Sequence, residues 1–264
     1  MQYGRLKQTL DRLYQEVNVR EYLQHSPMQM IHNVSTQTGC TYKDIEAIAL
    51  ILTPVAFGDA ASQVNISKVM YDLTEKEPYN WLKLGGFIGL YLEKSVYRRV
   101  TGKDIVAAFQ NIRQFYVKYG SVADYIRDHN SSTNELLILL GTLLKPVGCG
   151  LPIGTMPPAC LRLCQLMRWM CRGKDMDFGI WGAERAPDLY AIMSANIYSF
   201  AKKHAMVSYP QYKWQAVLEL TDCYCGMDRQ DPLKYDIAIA QYVQRTDPKA
   251  NKELNLKVRK ITLK

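Results

Sequence analysis

The sequence predicts an all-α protein, and two observations carry that prediction. Apolar residues recur at the spacing of amphipathic helices along nearly the whole of the 264 residues. Three segments begin with Ser or Thr and have Asp three residues later, which resembles the capping box at the start of a helix. They are Thr41-x-x-Asp44, Thr101-x-x-Asp104 and Ser121-x-x-Asp124. Alternation typical of a strand occurs only between residues 254 and 258.

The predicted helices follow one another in chain order. The first carries Leu6, Leu10, Leu13 and Val17 on one face. Ser26-Pro27 would begin a short second helix, and the apolar pattern after Thr101 ends at Gly120, a residue typical of helix C-termini. Further helices are predicted at 134–144, 159–172, 192–205, 212–227 and 232–244, the last of which Asp231-Pro232 would cap.

The segment 145–158 is the least regular part of the chain, with three Gly and four Pro between two helices. A turn of this composition is either a plain connector or a cradle whose backbone amides, around Gly154, bind a phosphate. Arg162, Arg168 and Arg172 follow on the next helix and would suit a phosphate backbone. The alternative is a solvated helix face with a buried Trp169.

Charge and composition exclude several classes of protein. The chain is 48% hydrophobic and 22% charged, which is ordinary globular composition. Its 33 basic and 25 acidic residues give a net charge of +8, and +5 of this lies in residues 248–264. Such an excess favours a polyanionic partner. The apolar stretches are too short to span a bilayer and no signal-peptide core is present, so a soluble cytoplasmic protein is expected.

The seven cysteines do not form a recognisable ligand set. Their odd number, without a secretion signal, makes a disulfide framework unexpected. Zinc and iron–sulfur sites use paired Cys-x-x-Cys or Cys/His sets, which the sequence lacks, and the four histidines are dispersed. No metal and no other cofactor is therefore expected.

Residues 157–181, PPACLRLCQLMRWMCRGKDMDFGIW, resemble the signature of an uncharacterised bacterial family. That signature contains Cys-Lys-Arg-Leu-Asn, Leu-Arg-Trp-Met-Val-Arg and Asp-x-Gly-x-Trp. The family's Asp-Pro-Val-Lys-Tyr-Asp block is similar to the sequence DPLKYD at 231–236. Ala56-Phe57-Gly58, Tyr97-Arg98-Arg99 with Asp104, and the turn Tyr119-Gly120-Ser121 also fit. The resemblance covers about residues 10–245.

That family is in turn similar to the helix-hairpin-helix DNA glycosylases of the endonuclease III type, which are two-lobed all-α enzymes. The resemblance implies one helical-barrel lobe at 45–158, a second lobe from 1–44 plus 159–247, and a basic C-terminal tail at 248–264. In these enzymes an Asp assists departure of the base, and bifunctional members add a Lys nucleophile. Here the Asp position holds Ser194, the His position holds Asn196, and the family's Lys is Leu161. The usual base-release chemistry is therefore not expected.

Three functions remain open at this point. The first is a DNA-binding protein with the glycosylase fold and a link to DNA repair. Its expected DNA contacts are Arg162, Arg168, Arg172, Gly154 and Lys234. The second is an active base- or nucleotide-processing enzyme that uses a relocated acid, Asp177 or Asp236. The third is an α-helical interaction module that docks through its basic tail and does not bind DNA. A buried structural ion pair is the alternative role for Asp236.

Overall fold

A computed structural model of the chain describes residues 4–89 and 95–246. This part of the chain is built from 13 α-helices and three short 3-10 helices, which confirms the all-α prediction. Its one departure from that prediction is a small antiparallel hairpin of Ser95–Tyr97 (β1) and Val100–Thr101 (β2). The strand expected near residue 256 lies outside the described residues.

The described residues divide into two compact units. We call residues 23–149 the central unit and residues 4–22 plus 150–246 the terminal unit. The boundaries therefore lie at 22/23 and 149/150, whereas the sequence placed them at 44/45 and 158/159. The difference arises because α3 (Met28–Ser35) packs on helices of the central unit, while the Pro157 carbonyl accepts a hydrogen bond from the Trp214 N–H at 3.0 Å.

The central unit packs around one deeply buried helix. Its helices are α3 (Met28–Ser35), α4 (Tyr42–Leu52), α5 (Ala60–Asp72), α6 (Pro78–Leu84), α7 (Gly102–Tyr119), α8 (Val122–His129) and α9 (Thr133–Leu143). Every residue of α4 from Glu46 onward is buried, and α3, α5 and α6 pack against it. The 3-10 helices Thr53–Val55 and Lys145–Val147 follow α4 and α9.

The terminal unit joins the beginning of the chain to its second half. Its helices are α1 (Gly4–Gln15), α10 (Leu161–Cys171), α11 (Ala195–Lys203), α12 (Trp214–Met227) and α13 (Lys234–Thr246), with a 3-10 helix at Ala183–Asp188. The largest helix–helix contact of the unit joins α1 to α13. The remaining helix, α2 (Val19–Gln24), contains the boundary between the units.

The helix starts predicted at Thr41, Thr101 and Ser121 are confirmed by their hydrogen bonds, whereas α3 begins at Met28 with Pro27 as its N-cap residue. The Asp104 carboxylate accepts from the Thr101 N–H at 3.0 Å and from the Thr101 hydroxyl at 2.6 Å, and Asp44 does the same for Thr41. Two further starts went unpredicted although their signals are in the sequence. Ser132-x-x-Glu135 is a complete capping box, and Asn18-x-x-Glu21 begins α2. The helix at Ser26-Pro27 is therefore the third of the chain.

Candidate functional site

The arginine-rich motif of α10 forms the centre of a buried ion-pair network in the terminal unit. Arg172 is fully buried, and its Nε and Nη2 donate to the two carboxylate oxygens of Asp231 at 2.8 and 2.9 Å. Its Nη1 donates to Asp177 at 2.9 Å, and its Nη2 also reaches Asp175 at 2.7 Å. Asp177 is shared with Arg168, whose Nε lies 3.3 Å from it. The network thus opposes two guanidinium groups with three carboxylates.

This geometry corrects the predicted contacts of Arg168 and Arg172 with DNA. A phosphate must reach the guanidinium group, but both side chains are enclosed. Burial opposes the charged form of each. Asp177 beside Arg168, and Asp231 beside Arg172, nevertheless hold the pKa of the two guanidinium groups above its ordinary value. These arginines connect α10 to the turn after it and to the residue block before α13.

The block at 231–236 is likewise occupied by internal contacts. Asp231 binds Arg172 with its side chain, which corrects its predicted role as a helix cap. Lys234 Nζ lies 2.7 Å from Asp228 and 3.0 Å from Asp11, so its predicted contact with DNA is corrected as well. The Tyr235 hydroxyl donates to Asp11 at 3.2 Å. The block therefore ties α13 to α1 and α10.

Asp177 does not qualify as an accessible acid. Its carboxylate is fully enclosed and carries ion pairs to two arginines. A group in that state neither reaches a substrate nor gives up its partners without leaving buried charges unpaired.

Asp236 is buried and forms no ion pair with any residue that the structure describes. Its Oδ2 accepts from the Ile192 N–H at 2.7 Å, and its Oδ1 accepts from the Tyr224 hydroxyl at 3.1 Å. Burial raises the pKa of this carboxyl to about 6, although both hydrogen bonds oppose the shift. Thr221 accepts from the neighbouring Ala191 N–H at 3.0 Å. Asp236 and Thr221 thus fix the irregular segment that leads into α11, and the ion pair expected for Asp236 is not formed.

Ser194 and Asn196 lie at the start of α11. Ser194 is the N-cap residue, and its Oγ accepts from the Ile197 N–H at 3.2 Å. Asn196 is exposed in the first turn. Within the described residues, the N–H groups of Ala195 and Asn196 have no acceptor. Ser194 therefore supplies a capping dipole where the resemblance implies a catalytic charge.

The starts of α10, α11 and α12 meet at one place. Buried Cys160, Cys164 and Ile192 form a small cluster there, and half-buried residues pack against it. These are Leu161, Tyr190 and Trp214. The Tyr212 hydroxyl donates to the Met193 carbonyl and closes the arrangement on one side. We call the surface formed by Arg162 and by residues 151–158, 190–198 and 209–214 the helix-start face.

Acidic residues are absent from the sequence around this face. No Asp or Glu occurs between Glu135 and Asp175, or between Asp188 and Glu219, and the first turns of α10, α11 and α12 contain none. The basic residues of these two stretches that lie outside the buried network include Arg162, Lys202, Lys203 and Lys213. The nearest acid in sequence, Glu219, accepts hydrogen bonds from the Ser208 and Tyr209 N–H groups at 2.7 and 3.0 Å.

Two predicted contact residues lie at this face and are not fully buried. Gly154 is exposed with φ +100°, and a Cβ built on it would meet nothing within 4 Å. Arg162 is half-exposed in the first turn of α10. Sequence reasoning missed Lys202, Lys203, Lys213 and Tyr212. The sequence does contain a signal for the lysines. They lie in a long stretch without Asp or Glu, so no carboxylate is close to them in sequence.

Residues 4–89 and 95–246 contain neither a metal-binding cluster nor a membrane-spanning helix. No group of three or more His, Cys, Asp and Glu residues there is arranged to hold a metal ion. No helix in these ranges combines the length and the apolar character needed to cross a membrane.

The comparisons with known proteins give one result. The model of a family described as "Protein of unknown function (DUF2400)" matches residues 26–245. Neither the search of curated proteins nor the search of solved structures gives a match. Because the family model spans most of the chain, the protein belongs to this DUF2400 family of unknown function.

Proposed function

We propose that this protein binds DNA through the helix-start face and lacks the base-release chemistry of DNA glycosylases. The observation that carries the proposal is the pairing of Arg162 and Lys213 on this face with stretches of sequence that are free of acids. A helix-hairpin-helix glycosylase fold and a link to DNA repair belong to the same proposal. Both rest on the family resemblance.

The chemistry of the face suits a phosphate backbone. Arg162 and Lys213 supply positive charge on the face, Lys203 adds a third in the last turn of α11, and binding would release the counterions condensed on DNA. The exposed turn at Gly154 and the first amides of α11 add oriented N–H donors. Since Arg168 and Arg172 are enclosed, the interface consists of the residues around α10 and not of its buried motif.

Loss of chemistry follows from two positions. Ser194 offers a hydroxyl dipole, so a developing sugar cation would lack the carboxylate that stabilises it, an effect of about 3–4 kcal/mol in related electrostatic cases. Leu161 has no amine and cannot form an imine. We therefore expect neither glycosylase nor lyase activity.

One observation favours a second candidate function, an enzyme with a relocated acid. Asp236 holds the backbone two residues before Ser194, and its pKa of about 6 would allow it to exchange a proton near neutral pH. Its burial requires the segment at 190–194 to open before any substrate reaches it.

The binding test is fluorescence anisotropy of a labelled duplex at a series of salt concentrations. A variant with Arg162, Lys203 and Lys213 all changed to Ala should lose at least tenfold in affinity. The slope of log K against log salt should fall by about 2.7, since each phosphate contact contributes about 0.9. The matched control changes Arg5, Arg12 and Arg20, which are exposed on α1 and α2 of the same unit. Equal losses in both variants would contradict the proposed face.

A further variant separates DNA binding from the interaction-module hypothesis. The full-length chain with the six basic residues of 248–264 changed to Gln should keep most of its affinity. Abolished binding would instead identify the tail as the docking element.

The activity test uses duplexes that carry uracil, oxidised purines, alkylated bases or abasic sites, with borohydride to trap imines. We expect no base release and no trapped complex. Base release that disappears in Asp236→Asn would establish the relocated acid and refute our proposal. Base release gained by Ser194→Asp alone would support the loss of a carboxylate.

A further inference from the structure

Aromatic side chains are concentrated on the helix-start face. The rings of Tyr190 and Trp214 lie 4.8 Å apart with an interplanar angle of 58°. The rings of Tyr198 and Tyr212 lie 5.8 Å apart, close to edge-on at 70°. Tyr212 is 38% exposed, and the other three rings are half-buried. All four belong to the same acid-free stretch, 189–218.

Apolar side chains of the Gly/Pro turn extend this aromatic surface. Ile153 and Met156 are both exposed. The backbone N–H of Trp214 donates to the Pro157 carbonyl at 3.0 Å, and this hydrogen bond joins the turn to the Tyr190–Trp214 pair. The surface thus combines apolar and aromatic groups with lysines, an uncommon composition for the contact face of a duplex.

Unstacked bases are the ligand that this combination fits. In an intact duplex the faces of the bases are covered by their neighbours, so only phosphates, sugars and base edges are presented. Single strands expose base faces, which stack on aromatic rings, while basic side chains follow the backbone. We propose that the helix-start face binds single-stranded DNA in preference to duplex DNA. This inference rests on the proposed DNA-binding function and specifies its substrate.

Trp214 provides a direct reporter. Of the four tryptophans, Trp169 and Trp181 are buried, and Trp81 belongs to the central unit, where its ring packs against Phe87 and Phe109. A base that stacks on the face should quench the fluorescence of Trp214. The change Trp214→Phe should remove the quench, whereas Trp81→Phe should leave it intact.

The experiment compares an oligodeoxythymidine of about 12 nucleotides, within the site sizes of single-strand binders, with a duplex of the same length at equal salt. The full-length chain should bind the single strand at least tenfold more tightly. Tyr212→Ala should lower single-strand affinity about tenfold or more, and Tyr212→Phe should keep it. The matched control is Tyr42→Ala, because Tyr42 is 40% exposed in the central unit and also uses its hydroxyl in a hydrogen bond.

The outcomes separate this inference from the proposed function. Duplex binding that equals or exceeds single-strand binding would overturn the inference and leave the DNA-binding proposal standing. A quench that persists in Trp214→Phe would overturn it too, and so would displacement of the oligonucleotide by an equal charge concentration of polyglutamate. Failure to bind either DNA would refute both.

Discussion

The two units of the molecule use their acidic residues differently. In the central unit every helix from α4 to α9 has an acid at its N-cap or in its first turn. These acids are Asp44, Asp59, Glu77, Asp104, Asp124 and Glu135. In the terminal unit α10, α11 and α12 have none at those positions. Three acids of that unit, Asp175, Asp177 and Asp231, instead surround Arg172.

This difference shows what each unit gains from the same residue type. An acid near a helix N-terminus stabilises the helix by about 0.3–1 kcal/mol, because it opposes the positive end of the helix dipole. The helices α10, α11 and α12 forgo that stabilisation. In return the terminal unit keeps a surface on which the starts of three helices carry no acid, although Glu219 lies near Lys202 and accepts from the Tyr209 N–H. A stability cost at one surface is what a binding face would require.

The largest expected effect comes from the buried network. Changing Arg172 to Met should lower the free energy of unfolding by about 3–5 kcal/mol, because Asp177 and Asp231 would remain buried without their partner. The control is Arg127→Met in the central unit. Arg127 is 66% exposed, so loss of its pair with Asp124 should cost far less. Urea unfolding measures both, and equal costs would contradict the assignment of Arg172 as the centre of the network.

The second prediction concerns the pH dependence of stability. The folded-state pKa of Asp236 is raised to about 6 from an ordinary 3.8, so the folded protein retains a proton that the unfolded chain loses between about pH 4 and 6. Stability should therefore fall as pH rises through that window. As the pH rises through that window, the native chain should lose about 3 kcal/mol of unfolding free energy relative to Asp236→Asn, since one pKa unit corresponds to about 1.4 kcal/mol.

Asp124 of the central unit should behave in the opposite way. Burial opposes its charged form, but hydrogen bonds from Lys43 and Tyr42 hold the pKa of Asp124 below its ordinary value. Its contribution to stability should be present above about pH 4 and lost as the pH falls further.

The outcome that would contradict the role of Asp236 concerns the difference in unfolding free energy between Asp236→Asn and the native chain. That difference should change between pH 4 and 7, and a constant difference would contradict the prediction.

A third prediction compares two glycines with the same backbone conformation. Gly58 has φ +99° and Gly154 has φ +100°, so Ala at either position should cost about 1–3 kcal/mol of backbone strain. At Gly58 the new Cβ would also lie 2.5 Å from Arg98 Nε, and the guanidinium would have to leave Asp59, its partner at 2.9 Å. Gly58→Ala should exceed Gly154→Ala by up to about 1 kcal/mol in thermal or urea unfolding. The reverse order would contradict this account.

The smallest stability effect is the sharpest test of the comparison. Lys213 is the N-cap residue of α12 with extended backbone angles and makes no side-chain capping bond. Changing it to Asp should raise stability by about 0.5–1 kcal/mol, because it would give α12 the acidic cap that the central helices have. The same change should lower DNA affinity more than Lys213→Ala does. A variant that is more stable and binds DNA equally well would show that the absence of acids at these helix starts does not serve DNA binding.

Short-range patterns predicted the helices well. The capping boxes at Thr41 and Thr101, the N-cap at Ser121 and the end of α7 at Gly120 depend only on residues a few positions apart, so the sequence contains the whole interaction. The blocks at 56–58 and 97–99 that carry the family resemblance could be identified in the sequence. The sequence did not show that these two blocks contact each other in the folded protein. The structure brings Arg98 onto Gly58 and pairs it with Asp59, and 40 residues separate the two blocks in the chain.

The candidate site divides along the same line. The sequence by itself determined the helical class, the helix caps, the exposed Gly/Pro turn and the stretches without acids, because each depends on local composition. Only the tertiary structure decided that Arg168, Arg172 and Lys234 face carboxylates instead of solvent. Two of their partners lie far away in the chain, Asp231 for Arg172 and Asp11 for Lys234, and Asp177 reaches Arg168 only because the chain turns back after α10. The desolvation of a charged group depends on what surrounds it in space, and α10 is buried on nearly all sides. The buried arginines Arg168 and Arg172 therefore stabilise the interior, and the exposed positive charge is carried by other residues near α10.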